Sequence, residues 1–281
     1  MIEIEDKEYE GERPLYNLHN AVLNNVIFNE GESPLKECSD LKISNTTFKW
    51  KYPMWYSNNI YCENIKLIEV ARSGIWYTKN ITIKDSDILV PKTFRRCDTV
   101  NLLNVNLPEA METFWNCKNI NIKNVKSNGT YFGMNSENVF VENFDHNGDY
   151  LFDGAKNIEV HNAKIISKDS FWNCENVVIY NSYIEGEYFG WNSKNIKLVN
   201  CTIDSNQGLC YIDGLEMENC VLNNCNLSFE LCSDIKASIS SHINSVKNPK
   251  NGIIKAKSIG EIVFDEKMVD KSKTIIEVEN V

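Results

Sequence analysis

Over 281 residues the chain carries a net charge of -10 and 42% hydrophobic residues, which argues against a basic phosphate-contacting surface and leaves no apolar run of the roughly 20 residues that a membrane helix needs. Neither nucleic acid nor a membrane is an expected partner. The ten cysteines include no C-x-x-C pair and the four histidines (His19, His146, His161, His242) lie far apart, so no metal or cofactor is expected. The opening segment is acidic rather than basic and apolar, which makes the cytosol the expected compartment and reduced thiols the expected state.

Residues 1–14, MIEIEDKEYEGERP, read as a charged N-terminal cap. From residue 15 onward one unit recurs: KNITIKD at 79 to 85, KNINIKN at 118 to 124, ENVFVEN at 137 to 143, then KNIEVHN, ENVVIYN and KNIKLVN starting at 156, 175 and 194. The first apolar residue of each copy serves as an anchor. The anchors are Ala21, Leu41, Ile60, Ile81, Val100, Ile120, Val139, Ile158, Val177, Ile196, Leu215 and Ile235, set at intervals of about 20 residues. Alternation of apolar and polar residues within so regular a period predicts a solenoid of short strands.

The rows around the anchor define one coil. Two residues on lies a second apolar row (Leu23, Ile43, Ile83, Leu102), and seven on a third (Phe28, Phe48, Leu67, Ile165, Ile184). Between them, four beyond the anchor, Asn25, Asn45, Asn64, Asp85, Asn104, Asn124 and their successors through Asn219 form a row suited to a left-handed bend and to amide stacking. The sequons at Asn45 and Asn200 fall on this ladder, which is expected to be buried. Six before the anchor an apolar row is rich in Phe, and three before it a row of small residues includes Cys38, Ser57, Thr78, Cys97 and Cys117, packing elements of an inner corner. Three strands per coil predict an all-β fold: a single-stranded right-handed parallel β-helix of about 12 coils of 19–20 residues. The coils occupy 15–260 of a single domain spanning 1–281. The tail, 261–281, reads as two strands around a Lys-rich turn and forms the C-terminal cap.

This pattern resembles the parallel β-helix repeats of the pectate-lyase-like superfamily. The segments GERPLYNLHNAVL, FNEGESPLKE, FKWKYPMWYS, ARSGIWYTKNITI, VPKTFRR and METFWNCKNI are similar to the uncharacterised family domain of unknown function 3737. The family resemblance implies no activity. The superfamily resemblance implies carbohydrate chemistry, with the substrate groove on the corresponding sheet, but a fold alone does not settle function.

Candidate chemistry lies five residues before the anchor, where the row reads Tyr16, Lys36, Trp55, Trp76, Arg95, Trp115, Met134, Asp153, Trp172, Trp191, Cys210 and Glu230. A row that accepts Lys, Arg, Asp and Glu should face solvent, so five of the six tryptophans would line an outer face. Three readings follow. Trp55, Trp76, Trp115, Trp172 and Trp191, with Arg95 and Arg96 as polar anchors, bind a carbohydrate or small polar ligand. Alternatively the stripe is covered, by caps or in a homo-oligomer of a non-enzymatic scaffold. In the third, the strand is reversed, with Trp inside and Phe outside. The break in the row at Asp153, near Asp149 and Asp169, supplies candidate catalytic carboxylates, since such pairs on neighbouring coils match glycosidase spacings. This makes a glycoside hydrolase or polysaccharide lyase the alternative function.

Overall fold

The computed structural model describes residues 1–279, and the chain divides into two compact units, 1–140 and 141–281. The fold is all-β, a parallel β-solenoid, and its one helical element among the described residues is the 3-10 turn Lys271–Lys273.

In the first unit, Ile2–Glu5, His19–Asn24, Ser39–Ser44, Asn58–Glu63, Lys79–Ile88, Asp98–Leu107 and Lys118–Asn128 lie side by side in parallel. The anchors pair in register, Ala21 with Leu41, Leu41 with Ile60, Ile60 with Ile81, Ile81 with Val100 and Val100 with Ile120. In the second unit the same holds from Lys156–His161 through Glu175–Tyr180, Lys194–Val199, Asp213–Asn223 and Ser233–Lys247. A second strand per coil stacks Phe28 on Phe48 and Phe48 on Leu67 in the first unit, and Ile165, Ile184 and Ile203 in the second. Apolar side chains therefore meet their like one coil away, which is why the period is so strict.

The chain makes about fifteen coils, not twelve. Ile2–Glu5 pairs with His19–Asn24 as an ordinary coil strand, and Gly252–Val263 and Thr274–Val278 continue the stack in parallel after Ser233–Lys247. Gly252 stands where an anchor side chain would be, opposite Ile235, with φ +121, and a Cβ there would run into the Ile235 backbone.

The asparagine row adopts the left-handed bend, with φ between 48° and 56° at Asn25, Asn45, Asn64, Asp85 and Asn104. Its amides are linked, Asn64 Nδ2 to Asn45 Oδ1 at 2.6 Å and Asn219 Nδ2 to Asn200 Oδ1 at 2.9 Å. The expectation that this ladder is buried is corrected: Asn45, Asn64, Asn200 and Asn219 are exposed, because the amides bond along the outside of the bend while the next apolar residue turns inward. A second ladder runs one residue before the anchor. There Asn80 bonds Asn59, Asn138 bonds Asn119 and Asn195 bonds Asn176.

The small-residue row is buried, and each of three members donates to a carbonyl of the preceding coil's Phe-rich row. Ser57 Oγ reaches Leu35 O at 2.7 Å, Thr78 Oγ1 reaches Met54 O at 2.7 Å and Cys97 Sγ reaches Ile75 O at 3.0 Å. All ten cysteines are buried free thiols, and burial raises those of Cys38 and Cys201 to about 11.

Candidate functional site

The Phe row is inside and the Trp row outside, which excludes the reversed strand. Phe94, Phe114, Phe152 and Phe171 are buried, whereas Trp55, Trp76, Trp115, Trp172 and Trp191 are half-buried. The two rows are adjacent residues, extended at Ile75–Trp76 and Phe94–Arg95 but in turns at Phe152 and Phe171, whose φ values are 60° and 56°, and in both cases the Phe-row side chain is buried while its Trp-row neighbour stays partly exposed.

In the first unit the outer rings stack on one another. Trp55 and Trp76 lie 5.0 Å apart at an interplanar angle of 7°, and beside them Tyr56 and Tyr77 lie 4.7 Å apart at 2°. Arg95 takes the next place: its guanidinium carbon is 4.5 Å from the Trp76 ring and 4.6 Å from the Trp115 ring. Arg96 lies over Tyr77 at 5.9 Å. The ring faces thus meet neighbouring coils and the ring edges meet solvent. Each indole N–H donates to a carbonyl of the following coil: Trp55 to Ser73 at 2.6 Å, Trp76 to Lys92 at 3.0 Å and Trp115 to Tyr131 at 2.8 Å. These contacts make the stack a structural seam as well as a surface.

Arg95 is the exception in that seam. Its Nη2 is 3.4 Å from Glu112 Oε2, an oxygen that Lys92 Nζ approaches more closely, at 3.1 Å, and its buried Nε has no hydrogen-bond partner among the described residues.

In the second unit the rings splay. Trp172 and Trp191 are 5.9 Å apart at 34°, and Trp191 and Tyr211 are 4.6 Å apart at 38°. Tyr150 meets Trp172 edge-on at 5.9 Å, and Tyr188 meets Trp191 edge-on at 6.0 Å. The Trp172 indole donates to Tyr188 O at 2.8 Å, but that of Trp191 has no acceptor in the described chain. Tyr211 is 38% exposed and stands one residue off the predicted row, because Cys210 turns into the core at that coil.

The three candidate carboxylates do not form one group. Asp153 Oδ1 accepts from Asn173 Nδ2 at 2.9 Å, and Asn173 in turn accepts from Asn192, so Asp153 joins an amide ladder. Asp149 and Asp169 belong to the bend before the aromatic row, where the Lys168 backbone N–H donates to Asp149 Oδ1 at 3.2 Å and Lys168 Nζ pairs with Glu187 at 3.4 Å. Asp169 is 3% exposed and its Oδ1 has no hydrogen-bond partner among the described residues. Burial raises its carboxyl above the ordinary range, Lys168 and a hydrogen bond from Tyr150 oppose the rise, and Asp149 and Glu187 add to it.

A separate concavity of about 510 Å³ in the second unit is lined by Asn195, Lys197, Glu216, Asp234 and Lys236 among others. It opens where Gly214, with φ +79, interrupts the second asparagine ladder. Among the described residues no group of three or more His, Cys, Asp or Glu side chains is placed to hold a metal ion, and no helix is long and apolar enough to cross a membrane.

Among solved structures, the chain is similar to the mannuronan C-5 epimerase AlgE4 A-module of Azotobacter vinelandii, with 11% identity, a TM-score of 0.41 and coverage of 85% of this chain and 90% of that one. It is also similar to PfbA, a surface adhesin of Streptococcus pneumoniae, with 10% identity, a TM-score of 0.41 and coverage of 93% and 84%. The catalytic domain of a GH87 alpha-1,3-glucanase in complex with nigerose matches at 10% identity, a TM-score of 0.25 and coverage of 96% and 58%. No curated protein matches the chain. The family model described as "Protein of unknown function (DUF3737)" matches residues 2–277, and the chain belongs to that family.

Proposed function

We propose that the protein binds a carbohydrate-like ligand on its outward aromatic row, with the splayed rings of Trp172, Trp191 and Tyr211 as the contact surface. The observation that carries this reading is Trp191. Its indole N–H has no acceptor in the described chain, and its ring is tilted 34° and 38° from its two neighbours. A tilted, half-exposed indole with a spare donor offers a sugar both an apolar face and a hydrogen bond. A cytosolic setting belongs to the same proposal and is supported by ten free buried thiols. The test is a titration with neutral oligosaccharides, read by tryptophan emission and calorimetry, alongside Trp191→Ala. Saturable binding that the variant weakens at least about tenfold supports the reading. No binding across a broad glycan panel, with the row engaged in a homo-oligomer on sizing chromatography, overturns it in favour of a scaffold.

A second reading, hydrolysis or elimination on the bound glycan, is favoured by one observation: the buried, partnerless Oδ1 of Asp169 on a carboxyl held protonated to higher pH than usual. Release of reducing ends or of unsaturated sugar by the wild type, abolished in Asp169→Asn, is the result that supports catalysis. A glycan that binds and is recovered intact rules it out.

A further inference from the structure

We infer that the concavity around Gly214 binds a small zwitterion, a free aliphatic α-amino acid, at a rung missing from the second asparagine ladder. The site lies within the second unit and uses none of the aromatic row, so it does not rest on the glycan reading. In this ladder each amide donates to the amide one coil before it, Asn176 to Asn157 at 3.0 Å and Asn195 to Asn176 at 2.9 Å. The next rung is Gly214, where a Cβ would stand 2.9 Å from Asn195 Oδ1. That oxygen therefore faces the gap, and it accepts no hydrogen bond among the described residues. The rung beyond is Asp234, which accepts from Asn251 Nδ2 at 3.3 Å and, as a carboxylate, has no N–H to send back toward the gap. Both groups that bound the gap are acceptors and one is an anion, so the group that fits between them is an ammonium, with N–H donors on several sides. At Thr99, a break in the first unit's ladder, the residue keeps a side chain and Asn119 is diverted to Asp98 at 2.7 Å, whereas Gly214 leaves the place open. The opposite charge comes from the same strand. Lys236 lies two residues after Asp234, hence on the same outer face and about 7 Å along it. It lines the same concavity and makes no ion pair among the described residues, because Glu216, its neighbour in register, is held by Lys197 at 2.9 Å. An ammonium and a carboxylate on one carbon are spaced to meet Asp234 and Lys236 together. An adjoining concavity of about 250 Å³ shares Glu216 and Lys236 and exposes Ile253, an apolar seat for an aliphatic side chain.

The experiment is calorimetry on the full chain with L-leucine, with isoamylamine, which keeps only the ammonium, and with isocaproate, which keeps only the carboxylate. Wild type, Gly214→Asn and Lys236→Gln are compared, and calcium chloride is titrated separately. Leucine should bind wild type saturably and at least about tenfold more tightly than either single-charge analogue. Gly214→Asn supplies the missing amide in the left-handed conformation that Asn176 and Asn195 already adopt, so it should abolish leucine binding and leave the melting temperature unchanged or higher. Lys236→Gln should lower leucine affinity to that of isoamylamine. Absence of saturable leucine binding at millimolar concentration overturns the inference, as does a Gly214→Asn protein with a cooperative melt that binds leucine like wild type. Isoamylamine binding as tight as leucine would make this a site for an organic cation, and calcium binding that Gly214→Asn abolishes would make it a metal site; either result overturns the zwitterion.

Discussion

The imidazole of His146 stacks on the ring of Phe144, with centroids 5.5 Å apart and an interplanar angle of 14°, inside the coil where the following coils carry Ile165, Ile184 and Ile203. Its Nε2 donates to Gly148 O at 3.2 Å, and burial lowers its pKa to about 4 from an ordinary 6.5. The unfolded chain therefore takes up this proton between about pH 6.5 and pH 4 while the folded one does not, so stability falls as pH falls through that window, by about 3 kcal/mol in total. His146→Ile should flatten that part of the stability curve, as measured by urea denaturation at a series of pH values. An unchanged slope in the variant would falsify the assignment.

For Asp169 the sign is opposite. Its carboxyl is raised by burial, so the ionised form is a burden on the fold above the carboxylate range and the burden disappears in acid. Asp169→Asn is expected to raise the thermal midpoint at pH 7, with a gain that narrows toward about pH 4. Scanning calorimetry at both pH values checks the trend.

Inner-corner donors should matter by their bond and not by their element. Ser57→Ala removes the donor to Leu35 O in a buried setting and should cost about 1–2 kcal/mol, whereas Cys97→Ser keeps a donor to Ile75 O and should cost less. Chemical denaturation of the two variants separates the cases. Equal losses would mean that fit, and not hydrogen bonding, governs the row.

Phe114 is buried, stacked 4.5 Å from Phe94 and edge-on to Phe132 at 5.3 Å. Phe114→Ala is expected to cost about 3–5 kcal/mol. Trp115→Ala, on the half-buried outer side of the same coil, should cost clearly less in the same denaturation series.

The coil was legible because its signal repeats: anchors set at a near-constant interval recur as strand partners, and K-N-I places both the anchor and, in its Asn, the second ladder. The C-terminal coils were hidden because their spacing breaks. Ile235 pairs with Gly252 after an interval shorter than the repeat, and Gly252 pairs with Thr274 after a longer one, so the anchor is first a residue without a side chain and then a polar one. Exposure of the asparagine ladder was missed because hydropathy patterns report which residues turn inward and say nothing of where an amide bonds once the chain bends.

At the site, the charged residues that share the Trp row pointed to its outer side, with the reversed register left open, and nothing in the repeat gave the orientation of the rings. That the Trp55 and Trp76 faces meet each other follows from the spacing between coils, a quantity absent from any one repeat. The grouping of Asp153 with Asp149 and Asp169 rested on closeness in sequence. In the structure Asp153 turns to Asn173, while Tyr150 bonds Asp169.

The near-parallel stacked pair Trp55 and Trp76 has an optical consequence. Two indoles held face to face at this separation share their excited states, so the pair should absorb at a wavelength shifted from that of either ring alone. The size of that shift depends on how far apart two successive coils stand, which makes the seam a gauge of coil spacing, readable in solution without a label.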